Sequence, residues 1–172
     1  DILYSYPKWF YEKVKKDYGS AAEEVLKSLK KIPYMAVRIN KLNYSEIKFE
    51  NLLKKMEIKI IKKIDSVYYL DSGIILYTDE FKQGKIIAQD GASYLAVKVL
   101  NPKTGETALD TCAAPGSKTV LMAEFMENQG EIMALDVYPH KIKLIEENCE
   151  KMGIDIIKAV KMDARKLKEQ GK

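Results

Sequence analysis

Apolar positions along the first third of the chain recur at helical, then alternating, then helical spacing. Trp9, Phe10, Val14 and Tyr18 follow Pro7 at near-helical intervals, which predicts a helix with Pro7 in its first turn and Gly19 as its stop. Ser20 with Glu23 three residues on reads as a capping box for AAEEVLKSLKK, which Pro33 ends. YMAVRIN alternates and predicts a strand over 34–39. Ser45 reads as the cap of a helix running to Lys55, with Ile47, Leu52 and Leu53 as its apolar face. IKIIKK, SVYYLD and GIILYT then read as three short strands, completing a small α+β module that ends near residue 80.

From residue 84 the pattern changes. GKIIAQDGASYLAVKVL predicts a short strand, a turn and a helix with Ala92, Leu95, Ala96 and Val99 inward. Then strand and helix alternate: ETALD, the loop TCAAPGSKT, the helix VLMAEFMEN, EIMALD, the helix HKIKLIEENCEKMG and IDIIKAVKM. A βαβαβ order with helices of about a dozen residues is half of a doubly wound parallel sheet with right-handed crossovers.

Composition narrows the class. Of the 172 residues 47% are hydrophobic and the net charge is only +4, so the chain is not an intrinsically disordered one. No stretch approaches the ~20 apolar residues that cross a bilayer, and DILYSYPKWF lacks the apolar run of a signal peptide. Cys112 and Cys149 are too few for a disulfide framework or a zinc site, and a cytoplasmic location is the expectation. Charge is uneven: residues 1–100 hold 18 basic against 13 acidic side chains, residues 101–172 hold 11 against 12. A basic front suits contact with a polyanion, although surface lysines are also the usual solubility device. Lysine supplies 27 of the 29 basic residues, so Arg38 and Arg165 stand out as places where a planar fork is needed. Arg38 is the leading candidate for an RNA or domain contact, an internal ion pair being its bland alternative.

In an open α/β sheet, ligands bind beyond the carboxyl ends of the strands. Three such ends are polar here. The first runs from Asp110 through Cys112, Ala113, Ala114, Pro115, Gly116, Ser117 and Lys118; the others end at Asp136 and Asp163. The first loop is neither a P-loop nor a dinucleotide fingerprint, because Ser117 interrupts GSKT and Gly116 is its only glycine. Small side chains opening onto a helix N-terminus suit a single carboxylate, such as that of an amino-acid moiety. Asp136 stands where ribose hydroxyls are held, or caps the next helix. Asp163 faces a similar choice between an adenine amine and a cap. Taken together they favour a nucleoside ligand without a diphosphate, a description S-adenosylmethionine meets. His140 and Cys112 lack a third orienting group, so His140 reads as a surface residue.

DTCAAPGSKT, with GKIIAQDGASYLAVKVL before it and ALDVYPHKIKLIEENCEKMGI after it, resembles the Sun-type (ribosomal RNA small-subunit methyltransferase B) family of S-adenosylmethionine-dependent RNA cytosine-5 methyltransferases. YPKWF and AVRIN resemble further elements of that family, so the resemblance covers nearly the whole chain. It implies an α/β, Rossmann-like methyltransferase core over 81–172, preceded by a small α+β RNA-facing module over 1–80. It also implies that Cys112, Ala113, Ala114, Pro115, Gly116, Ser117 and Lys118 surround the methionine part of the cofactor, that Asp136 holds the ribose, and that Asp163 lies by the adenine. Gln89, Asp90 and Ser93 match the preceding motif and are expected to support the loop. Ser117 replaces a more common second glycine.

The departures matter as much. The family's nucleophilic and product-releasing cysteines sit in Pro-Cys-Ser-like and Thr-Cys-Ser-like motifs, and no such motif occurs in this sequence. Cys112 is the loop cysteine and Cys149 reads as a small hydrophobe on a helix. The expectation is therefore a cofactor-bearing piece of an RNA methyltransferase, inactive alone, whose ribosomal RNA partner meets the basic front. An exposed edge of the half sheet invites self-association. The competing expectation is a noncatalytic RNA-binding or scaffold module with a vestigial nucleotide fold; a dinucleotide-dependent dehydrogenase is disfavoured by the missing glycines.

Overall fold

A computed structural model describes residues 5–167, which form two compact units divided after Pro33. The first unit holds α1 (Lys8–Tyr18) and α2 (Ala22–Leu29) around Val14, Ala22 and Leu26, with Phe10, Tyr11 and Val25 against them. Gly19 ends α1 at φ 53°, as expected of a helix stop. The capping box does not form. Gly19–Ala21 makes a 3₁₀ turn that leads directly into α2, and Ala21, not Ser20, stands at the N-cap position with helical dihedrals. A capping side chain needs an extended backbone, and none is present at this junction.

The second unit, from Tyr34, contains both sheets. In the first, β1 (Met35–Ile39), β2 (Ile60–Ile64), β3 (Val67–Leu70) and β4 (Ile86–Ala88) lie in the order β2-β3-β1-β4, all antiparallel. With α3 (Glu46–Lys55) after β1 and the short α4 (Asp79–Lys82) before β4, this is the split βαββαβ arrangement. β4 lies past residue 80 yet pairs with β1, Val37 opposite Ala88. Ser45 caps α3 as expected, its Oγ accepting from the Lys48 N–H at 3.3 Å. The inward face of α3 is Phe49 and Leu53, whereas Ile47 is 75% exposed. Two residues before Phe49, at 100° per residue, Ile47 points to the opposite side. GIILYT is not a strand: Ile74–Tyr77 is a 3₁₀ helix with only Ile75 buried. Both sides of β3 are already taken by β1 and β2, so the sheet has no lane for it there.

Alternation assigns each strand residue to a face. Val37, Ile39, Tyr68, Leu70 and Ile86 pack with Phe49, Leu53 and Ile75 on the α3 side. Ala36, Val67, Tyr69 and Ile87 join the core of the α/β half on the other side. That half begins with α5 (Gly91–Leu100), which buries Gly91, Tyr94 and Val97 and leaves Leu95 and Val99 exposed, a rotation from the expected face. A Cβ on Gly91 would lie 2.6 Å from the Tyr69 hydroxyl, so contact with β3 sets the rotation of the helix.

The second sheet is parallel, β5 (Thr107–Asp110), β6 (Glu131–Asp136) and β7 (Ile157–Lys161) in the order β5-β6-β7. Its crossovers are α6 (Ser117–Phe125) and α7 (Pro139–Met152). Five consecutive residues of α6, Thr119 to Ala123, are buried, so this helix is covered all round. No helix among the described residues is long and apolar enough to cross a membrane.

Candidate functional site

The carboxyl ends of the three parallel strands carry the predicted residues. After β5 the chain turns through 111–116 and enters α6 at Gly116, whose φ of 103° belongs to the left-handed region. Asp110 organises this turn from both sides: Oδ1 accepts from the Cys112 N–H at 3.2 Å, and Oδ2 accepts from the Thr119 hydroxyl at 2.7 Å. The Ala113 N–H donates to the Leu135 carbonyl and the Gly116 N–H to the Ala113 carbonyl, which ties the loop to β6. Asn148 on α7 donates to the Pro115 carbonyl at 2.7 Å. No side chain caps α6, and the first N–H groups of a helix have no acceptor within it. Ala113 and Gly116 are buried, Ala114 and Ser117 half-buried, and Cys112, Pro115 and Lys118 exposed.

Asp136 ends β6 with only 7% of its surface exposed. Its Oδ1 accepts from the Tyr138 N–H at 3.3 Å, and Lys141 Nζ approaches Oδ2 at 3.6 Å. A carboxylate offers about four acceptor positions, so these two contacts leave part of its capacity unused. Asp163 follows β7 and is engaged otherwise. Arg165 closes on it with Nε and Nη2, and Asp163 Oδ1 also caps the 3₁₀ turn 164–166 by accepting from the Arg165 backbone N–H. Those hydrogen bonds hold the Asp163 carboxyl down at about 2. Val137, Lys161, Met162, Asp163 and Lys166 line an open cleft of about 410 Å³ beyond the ends of β6 and β7.

Arg38 lies elsewhere. It sits on the inner face of β1 with no exposed surface, and its Nη1 pairs with Glu124 Oε1 at 2.5 Å. Of the two readings open for this residue the internal ion pair is the one that forms: with no exposed surface Arg38 offers nothing to RNA, and its guanidinium links the antiparallel sheet to α6. Burial lowers the Arg38 pKa and raises that of Glu124, each opposed by the partner charge. Asn40, two residues on, donates to the Gly84 and Met152 carbonyls and so fastens the end of α7 to the same strand.

Two family models match the chain: 16S rRNA methyltransferase RsmB/F over residues 97–172, and the RsmF/B-like ferredoxin-like domain over residues 6–79. The Bacillus subtilis protein named probable ribosomal RNA small subunit methyltransferase B is 36% identical over 96% of this chain. The chain belongs to the RsmB/F methyltransferase family. It spans 38% of the length of that Bacillus relative. A tRNA (cytosine(72)-C(5))-methyltransferase of Pyrococcus horikoshii is 40% identical over 53% of the chain and is covered to 23%. The crystal structure of a methyltransferase homolog from the same organism superposes with a TM-score of 0.80 at 26% identity, covering 95% of this chain and 55% of that one.

Within this RsmB/F member, three supports of the loop escape a reading of the sequence alone: Thr119, Asn148 and the double role of Asp110. Glu124, the partner of Arg38, carried a signal, being the one acid in α6 and following its apolar run 120–123, just as Arg38 is a rare arginine on an apolar strand. Thr119 and Asn148 carried none, because ordinary helix surfaces hold the same residue types.

Proposed function

We propose that this chain is the cofactor-holding and RNA-facing part of an S-adenosylmethionine-dependent methyltransferase that modifies carbon 5 of cytosine in ribosomal RNA. The observation that carries the reading is an uncapped α6 N-terminus after β5 together with the buried, under-used Asp136 carboxylate at the end of the neighbouring β6. The residues fit the group. The small side chains of Cys112, Ala113, Ala114, Pro115, Gly116 and Ser117, with Lys118, leave backbone N–H groups for the methionine carboxylate. Asp136 accepts from the two ribose hydroxyls. Asp163 would accept from the adenine amine on exchange with its exposed partner Arg165. When bound, the cofactor supplies an electrophilic methyl group.

Neither cysteine is assigned to methyl transfer. Cys112 lies in the cofactor loop, and burial pushes the Cys149 thiol up to about 11. The antiparallel sheet module and the basic front over residues 1–100 are the RNA-facing part of the reading. Isothermal calorimetry with S-adenosylmethionine on the whole chain tests it. Saturable binding is expected, and Asp136→Ala should weaken it at least ~10-fold, about 1.4 kcal/mol, with circular dichroism unchanged. A folded chain with no detectable binding would remove the cofactor role and favour a noncatalytic RNA-binding module.

A further inference from the structure

We infer that Arg38 is a positioning residue for the 112–118 loop, acting through Gln89 on the Ser117 carbonyl. Its meaning for ligand binding rests on the functional reading above, but the geometry stands by itself. Arg38 on β1 is fully buried, and Gln89, just past β4, is 5% exposed. The Arg38 Nε–H donates to Gln89 Oε1. Gln89 Nε2 in turn donates to the Ser117 carbonyl at 3.2 Å, and Arg38 Nη2 reaches the same oxygen at 3.5 Å. Nη1 is anchored on Glu124 and on the Ile39 carbonyl at 3.3 Å.

Donor and acceptor types make the relay directional. A guanidinium has only donors, whereas a glutamine amide has one acceptor oxygen and one donor nitrogen. Gln89 must turn its oxygen to Arg38, and its nitrogen is then aimed at Ser117. Ser117 is the first residue of α6, and its C=O shares one rigid peptide plane with the Lys118 N–H. Holding that oxygen therefore holds the direction of a free N–H at the mouth of the loop. Residues of the antiparallel sheet module thus set a backbone donor in the cofactor half.

Backbone amide NMR on the whole cofactor-free chain, read beside calorimetry, tests the relay. Arg38→Lys keeps a charge for Glu124 but loses the Nε–H; Gln89→Glu keeps an acceptor for Arg38 but loses the donor to Ser117. Both should move the Ser117, Lys118 and Thr119 amide resonances in the same direction and weaken S-adenosylmethionine binding several-fold. Their combination should add little, because they interrupt one chain of contacts. Glu124→Gln should lower the melting midpoint yet leave those amides and the affinity in place. If Arg38→Lys does not fold, Arg38→Met with Glu124→Leu removes the Nε donor without stranding a charge, and the same amides should move. Unmoved amides in the arginine variants, or fully additive effects, overturn the relay. A wild-type chain that binds no cofactor overturns the functional reading instead, while the amide comparison still decides the relay.

Discussion

The two arginines of this chain make the same kind of bond in opposite surroundings. Arg38 meets Glu124 where neither side chain has more than 5% of its surface in water; Arg165 closes on Asp163 with 88% of its own side chain exposed. The first pair joins the antiparallel sheet to α6, and the second folds back across two residues at the end of a strand. Burial decides what each pair does. Removing one partner of a buried pair strands a charge in a medium that cannot solvate it, whereas water and salt take over when an exposed partner is lost. The buried pair is therefore architecture, and the exposed one is exchangeable, which leaves Asp163 open to a ligand.

The largest expected effect is Glu124→Ala, which should cost about 3–5 kcal/mol in urea unfolding, while Arg165→Ala should move the unfolding midpoint far less. Equal shifts would break the distinction. Replacing the buried pair together, Arg38→Met with Glu124→Leu, should recover most of that loss, because no charge is left alone. A smaller effect separates the pairs by pH. The Asp163 carboxyl is held down chiefly by hydrogen bonds from Arg165, so its contribution is present above the ordinary carboxylate range near ~3.9 and fades as pH falls towards about 2. Carboxyl NMR should place its midpoint near that value, and Arg165→Ala should return it towards the ordinary range. Burial also divides the two cysteines: at neutral pH iodoacetamide should label Cys112 and spare Cys149, whose thiol burial keeps protonated.

Much of the α/β half is legible in the sequence. ETALD, EIMALD and IDIIKAVKM became β5, β6 and β7 because apolar β-rich runs alternating with helices of about a dozen residues admit few other arrangements. Their polar ends, Asp110, Asp136 and Asp163, could be read as a candidate site from the same pattern. The misreadings share one cause. Local chemistry alone misplaces Ser20, Leu95, Val99 and the run GIILYT, because their surroundings decide them: a continuous helical backbone through Ala21, the contact of Gly91 with Tyr69, and a sheet with both flanks of β3 filled.

Arg38 shows where the division falls. Alternation in MAVRI determined by itself that Arg38 lies opposite Val37 and Ile39, since successive strand residues face opposite sides. It did not determine what lies on that side. A polar residue opposite an apolar face ordinarily meets water; here it meets α6, because the antiparallel sheet buries both faces. Periodicity is a property of the chain and could be read along it. The identity of the partner is a property of packing, and only the folded molecule brought Glu124, Gln89 and Ser117 to the same guanidinium.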